Sequence, residues 1–168
     1  PRPTRRLSST ASDVYKRQDL VWLGHAAANL WIRSSTEQAD LSVTVSEIRP
    51  DGTEMYIQSG FLRAELRTPG PEATTTDPDL RMLEADATPL PVGEWVQVSI
   101  PIELTGHIFR AGSRIRVSFH SPGGDRPIWT FDVDPVPDGA TIEIGHDTDR
   151  PSSFSFDVDP TVLSLIHI

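Results

Sequence analysis

Cysteine is absent from the 168 residues, which excludes a disulfide framework, a thiolate ligand set and a cysteine nucleophile. Lysine is almost absent, because Lys16 is the only one. No apolar run approaches the length needed to cross a bilayer as a helix. No glycine is followed two residues later by serine. The Gly-x-Ser-x-Gly elbow that presents a hydrolase nucleophile is therefore missing, since that tight turn tolerates little beyond glycine. Phosphate-cradling glycine loops are missing too, and Gly123-Gly124 reads as a turn. Basic residues number 15 against 24 acidic ones, for a net charge of −9. Such a surface repels phosphate backbones and anionic lipid, so neither nucleic acid nor membrane is expected as a partner. No cofactor is expected either.

The two ends differ from what lies between them. Asp13 to Gln18 reads DVYKRQ and Leu163 to Ile168 reads LSLIHI. One DNA element read on its two strands encodes both peptides, and it resembles the transposase end used to prepare sequencing libraries. Ser8 to Ser12 is adapter-like as well, and the only lysine falls inside the suspect peptide. Residues 1–18 and 163–168 are accordingly expected to be adapter-like and not native, leaving residues 19–162 as the domain, a fragment of a longer gene. Setting the ends aside removes five basic residues and one acidic one, so the remainder is more acidic still.

What is present is alternation at a period of two. Ala28, Leu30 and Ile32 alternate with polar or aromatic neighbours, as do Leu41, Val43 and Val45. Arg49-Pro50-Asp51-Gly52 is a hairpin signal, with Met55 to Leu66 returning from it. Val96, Val98, Ile100, Ile102 and Leu104 give the cleanest alternation, and Pro101 within them calls for a sheet edge or a bulge. After a turn at Ala111-Gly112-Ser113, Ile115, Val117 and Phe119 point one way, and the strand stops at Ser121-Pro122-Gly123-Gly124-Asp125. Ile128 to Phe131, Thr141 to Ile144 and Phe154 to Val158 complete about eight strands without a helical period. The expected fold is all-β, a two-sheet antiparallel sandwich of jelly-roll, galactose-binding-like type.

Thr68 to Gly93 breaks the pattern, being rich in Pro, Thr, Asp and Glu. It is expected to be a surface excursion or partly disordered, pinned through Leu80, Met82 and Leu83 in a short helical turn. His25, His107, His120 and His146 are scattered over different strands and turns, where a hydrogen-bonded structural histidine outweighs a catalytic one. Asp132/Asp134, Asp147/Asp149 and Asp157/Asp159 repeat at a spacing that could chelate calcium, but the Asp132 to Gly139 stretch fails the EF-hand pattern. Solvated acidic turns explain them better, and no metal site is assigned. FDVDP occurs at Phe131 to Pro135 and again at Phe156 to Pro160, as strand ends passing into turns would give. Trp22, Trp31, Trp95 and Trp129 leave open a stacking platform for a sugar ring, set against the commoner fate of filling a core or an interface.

SGFLRAELR (Ser59 to Arg67) and FRAGSRIRVSFHSPGGDRPIWTF (Phe109 to Phe131), taken together, resemble the C-terminal β-sandwich of the serine hydrolases that include cocaine esterase and X-Pro dipeptidyl-peptidase. Leu30 to Gly52 is similar to that family's opening strand pair, and Gly93 to Val117 to its middle strands. His146 to Val158 resembles the closing strand, departing from the family's more apolar ending at Phe156-Asp157-Val158. The resemblance implies an accessory domain without turnover of its own. Its partner would be an upstream α/β-hydrolase catalytic domain of the same chain, cleaving esters or amides, with a homo-oligomer possible. It assigns no catalytic residue here. A face formed by Pro122, Asp125, Arg126 and Trp129 is expected to dock on the catalytic domain, an arginine and an aromatic beside a rigid turn being common interface anchors. The alternative is a jelly-roll carbohydrate-binding module.

Overall fold

Residues 10–122 and 135–159 are described by the computed structural model, with side chains from Asp13 onward. Among the described residues eight strands follow in order: β1 (Thr10–Tyr15), β2 (Leu20–Ser34), β3 (Asp40–Ile48), β4 (Glu54–Arg63), β5 (Trp95–Phe109), β6 (Arg114–His120), β7 (Ile142–Gly145) and β8 (Ser153–Val158). Every pairing is antiparallel, in the order β1-β6-β3-β4-β5-β2-β7, with β8 beside β7 on the same side of β2. Between β4 and β5 the ladder is one bridge, Gly60 to Ile102. There the sheet folds over, so β1-β6-β3-β4 form one layer and β5-β2-β7/β8 the other. The expected all-β, two-layer antiparallel architecture is what forms. Gly60 suits this fold line, because a Cβ there would lie 2.1 Å from the Pro101 carbonyl oxygen. Pro101, which has no donor to give, stands where the ladder towards β4 is reduced to that one bridge.

The core lies between the layers. Leu41, Val43 and Val45 on β3 face Leu30, Ile32, Val98, Ile100 and Ile102 on β2 and β5. Complete burial of each such side chain contributes roughly 1.5–3 kcal/mol. At one edge the small Ala26 and Ala28 stand opposite Phe156 and Phe154 of β8. This leaves room for both rings to pack on the fully buried Trp22, at centroid distances of 5.7 and 6.1 Å. The β3–β4 hairpin closes as its sequence implies: Gly52 takes φ +86°, its amide donates to the Arg49 carbonyl, and Thr53 N donates to Asp51 Oδ1.

Several expectations need correction. Met55 to Leu66 does not run as one strand, since β4 ends at Arg63 and Ala64–Leu66 forms a 3-10 turn. There Ala64 is buried, and its amide donates to the Ala39 carbonyl. Leu104 does not continue the inward row of β5. The β2–β5 register shifts between Gly24 and Ala26, which flips the faces, so Leu104 is 65% exposed while Phe109 is buried. The Thr68 to Gly93 segment is tied down by backbone bonds from Thr88 to Glu65, Leu90 to Glu37 and Gly93 to Ser34. Its apolar anchors are the buried Leu90 and the partly buried Leu80, whereas Met82 and Leu83 are exposed. A short 3-10 turn does form, but at Glu84–Asp86 with no buried residue. Residues 10–15 run along β6 as an edge strand, which leaves the expected domain boundary untested. Ile128 to Phe131 lies outside the described residues.

Candidate functional site

Continuing the row Leu41, Val43, Val45 by two residues puts the carboxylate of Glu47 on the core face, 3% exposed. Its neighbours in register confirm this orientation, because Val45 pairs with Val117 and Glu47 with Ile115, both buried. Across the layer gap, His107 on β5 reaches Glu47 Oε2 at 3.3 Å. Arg49 Nε lies 3.9 Å from the same oxygen, and the Arg110 amide donates to Oε1 at 3.3 Å. The buried Ser113 hydroxyl faces this carboxylate and has no other partner among the described residues. Burial pushes the Glu47 carboxyl up. The Ser113 hydroxyl, the Arg110 amide and His107 together outweigh it, holding the carboxyl below the ordinary glutamate value. Phe109 packs edge-on against the His107 ring at 4.7 Å. This cluster closes one end of the sandwich by joining β3, β5 and the β5–β6 turn. Sequence reading missed it, although the alternation of β3 carried the signal.

The other histidines stand apart. His25 sits at the Gly24 irregularity, 3.6 Å from Asp77 and 3.7 Å from Asp157, and is about half exposed. His120 Nε2 meets Thr44 Oγ1 at 3.0 Å, and its Nδ1 faces the Ser121 carbonyl at 3.1 Å. His146 Nδ1 faces the Ile144 carbonyl at 3.2 Å. The four thus occupy separate surroundings, His25 and His107 beside carboxylates and His120 and His146 beside backbone carbonyls. Asp147 serves a turn. Asp147 Oδ1 accepts the amides of Asp149 and Arg150, and its Oδ2 pairs with the Arg150 guanidinium at 3.0 Å. That guanidinium bond is the first cause holding the Asp147 carboxyl below its usual range. Asp157 Oδ2 accepts the His25 amide at 2.9 Å. Among the described residues no group of three or more candidate ligands is placed to hold a metal ion. Asp132 and Asp134 lie outside them.

The tryptophans divide. Trp22 is core. Trp31 and Trp95 are half-buried on the outer face of the β5-β2 layer, where the guanidiniums of Arg33 and Arg150 lie 4.9 and 5.0 Å from the Trp95 ring centre. Arg33 also grips Glu143 with two bonds of 3.0 and 2.7 Å. Cations thus occupy the surface a sugar ring would need on Trp95. Trp129 lies outside the described residues.

On the same layer, beyond the register shift, the apolar surface is bare. Val21 pairs with Ile108 and Leu23 with Gly106, so these four share one face. Leu23 is 59% exposed, Ile108 is exposed too, and the outward Leu104 adjoins them. With no side chain at Gly106, Leu23 lies flat across that position. This apolar group lies next to the Glu47 end, since Trp22 pairs with His107 between Val21 and Leu23. Of the expected docking face, Pro122 is half-buried just past β6, while Asp125, Arg126 and Trp129 lie outside the described residues.

Known proteins place this architecture. The solved structure of a CocE/NonD family hydrolase from Staphylococcus aureus superposes with a TM-score of 0.72 at 14% identity, covering 92% of this chain and 33% of that one. An aminopeptidase from a marine sediment Thaumarchaeota archaeon gives 0.64 at 20% identity, covering 94% and 26%. An alpha-amino acid ester hydrolase gives 0.64 at 19%, covering 91% and 25%. A protein named as a serine esterase from Mycobacterium bovis is 30% identical over 98 residues, 56% of this chain and 16% of its own length. The chain thus spans about a sixth of that relative. A sequence model of the X-Pro dipeptidyl-peptidase C-terminal non-catalytic domain matches residues 15–128, and the chain belongs to that family of non-catalytic domains.

Proposed function

We propose that this domain packs on the α/β-hydrolase catalytic domain of its parent chain and helps shape the active-site region or the oligomer. The observation that carries the reading is the bare apolar face of Leu23, Gly106 and Ile108 on a domain whose family is non-catalytic. Apolar area at the centre of an interface contributes about 25 cal/mol per Å² removed from water, so even this small patch favours a covered state. The parent's hydrolysis of esters or amides, including X-Pro peptides, belongs to the same proposal and rests on the family. Pro122, Asp125, Arg126 and Trp129 remain a proposed second docking face, supported by residue type. In the full-length parent hydrolase, Leu23→Asp with Ile108→Asp is expected to lower thermal stability and turnover together, while the isolated chain keeps its melting temperature. Unchanged assembly and turnover in that parent would sink the reading.

A further inference from the structure

The outer edge of β6 is covered in an unusual way. β1 pairs with it over six residues, from Thr10–Phe119 to Tyr15–Arg114. The backbone continues the pairing, with Lys16 N donating to the Ser113 carbonyl and Gly112 N to the Lys16 carbonyl. Yet the apolar side chains described on β1 stay in solvent, Val14 being 56% and Tyr15 60% exposed. The described side-chain link is one carboxylate: Asp13 takes the Arg116 guanidinium with bonds of 2.8 and 3.1 Å. Arg116 is already held from its other side by Glu54 at 2.9 Å, and Glu54 in turn accepts the Ser46 hydroxyl. The guanidinium is therefore pre-set in position, whichever residue faces it. The family match starts at Tyr15, so it takes in β6 and leaves almost all of β1 outside.

We infer that the β6 edge is a strand-accepting site that reads backbone and one negative charge, and that its occupant is an extended segment carrying Asp or Glu opposite Arg116. In the parent chain that occupant is the stretch just before the domain, and Thr10–Tyr15 fills the place here. Strand addition supplies affinity through main-chain bonds, so sequence enters only where a side chain meets a fixed partner. A charged residue of the wrong sign opposite Arg116 would be rejected by repulsion rather than by shape. The inference is independent of the apolar docking face.

The test opens the slot and refills it. Successive strand residues point their amides to opposite sides, so Asp13→Pro with Val14→Pro removes one donor towards β6 whatever the phase. A labelled synthetic peptide of the sequence Thr10 to Lys16 is then titrated by fluorescence anisotropy. It is expected to bind the opened chain and not the unaltered one. The same peptide with Asp13→Lys should bind about three- to tenfold more weakly, a gap that narrows in high salt. A folded opened chain that takes up neither peptide, or takes both equally, overturns the inference. Hydrogen exchange on the unaltered chain guards against an opened variant that does not fold. Amides of β1 should exchange at least about a hundredfold faster than those of the β3–β6 ladder. Exchange of β1 only with global unfolding would make it integral and overturn the inference. So would a concentration-dependent dimer abolished by Arg116→Ala, which would mean strand exchange between copies.

Discussion

Two histidine–carboxylate pairs sit at neighbouring parts of this domain and do opposite things. Glu47 and His107 meet between the layers, where water is excluded and every remaining polar group needs a partner. His25 meets Asp77 and Asp157 on the surface, where solvent competes for all three. The chemistry is the same, and the surroundings decide its energetic weight. A buried carboxylate with a polar partner is not strong evidence for net stability, because the carboxylate was desolvated to reach it. Removing one partner is different, since the other polar groups are then stranded. The two sites therefore differ in what they demand of sequence. The Glu47 site has to keep its partners, while the His25 site can vary.

Breaking the buried pair should produce the largest effect. Glu47→Ala leaves the Arg110 amide and His107 without their acceptor and opens a cavity, so urea unfolding should show a loss of about 3 kcal/mol. A loss below about 1 kcal/mol would mean that water replaces the carboxylate freely. Next comes the backbone that carries His25. Gly24 has φ +131°, and a Cβ there would stand 2.7 Å from Asp157 Oδ2. Gly24→Ala should therefore cost about 2 kcal/mol by strain, shifting the melting temperature without changing the strand signal in circular dichroism.

Acid sharpens the contrast. The folded Glu47 carboxyl lies below its ordinary value of 4.5. Its contribution is fully present above that value and is lost as pH falls through the lowered folded value. Glu47→Gln should accordingly flatten stability against pH between about pH 5 and pH 3, as followed by urea midpoints. An unaltered acid profile would place the acid sensitivity elsewhere. The smallest effect belongs to the exposed pair: His25→Ala should change stability by about 0.5 kcal/mol or less, and less again in high salt. A larger loss would show that the two carboxylates hold the 68–93 segment against β8 through this ring.

Only one part of the candidate site is implied by residue order. The alternation of Leu41, Val43 and Val45 already carries Glu47 to the core face. The row from Val96 to Ile102 would carry Leu104 inward as well, and there the reading breaks. One register shift opposite Gly24 turns Leu104 out to solvent beside Leu23 and Ile108, and leaves His107 and Phe109 facing in. Neither the buried pair nor the bare apolar face could be located before that shift was known. Trp22 and Trp95 make the same point: both are tryptophans on strands, one packed edge-on and tilted against Phe154 and Phe156 and the other against two guanidiniums.

Local order and turn chemistry follow from the chain itself, because period-two alternation and residues such as Gly52 act on their immediate neighbours. The all-β class, the hairpin at Arg49 to Gly52 and the want of a nucleophile elbow were settled at that level. Tertiary structure alone decided which side chains meet across the two layers, which strand covers the β6 edge and where the sheet folds at Gly60. Those choices depend on contacts between residues far apart in sequence, where one inserted residue in a ladder exchanges inside for outside.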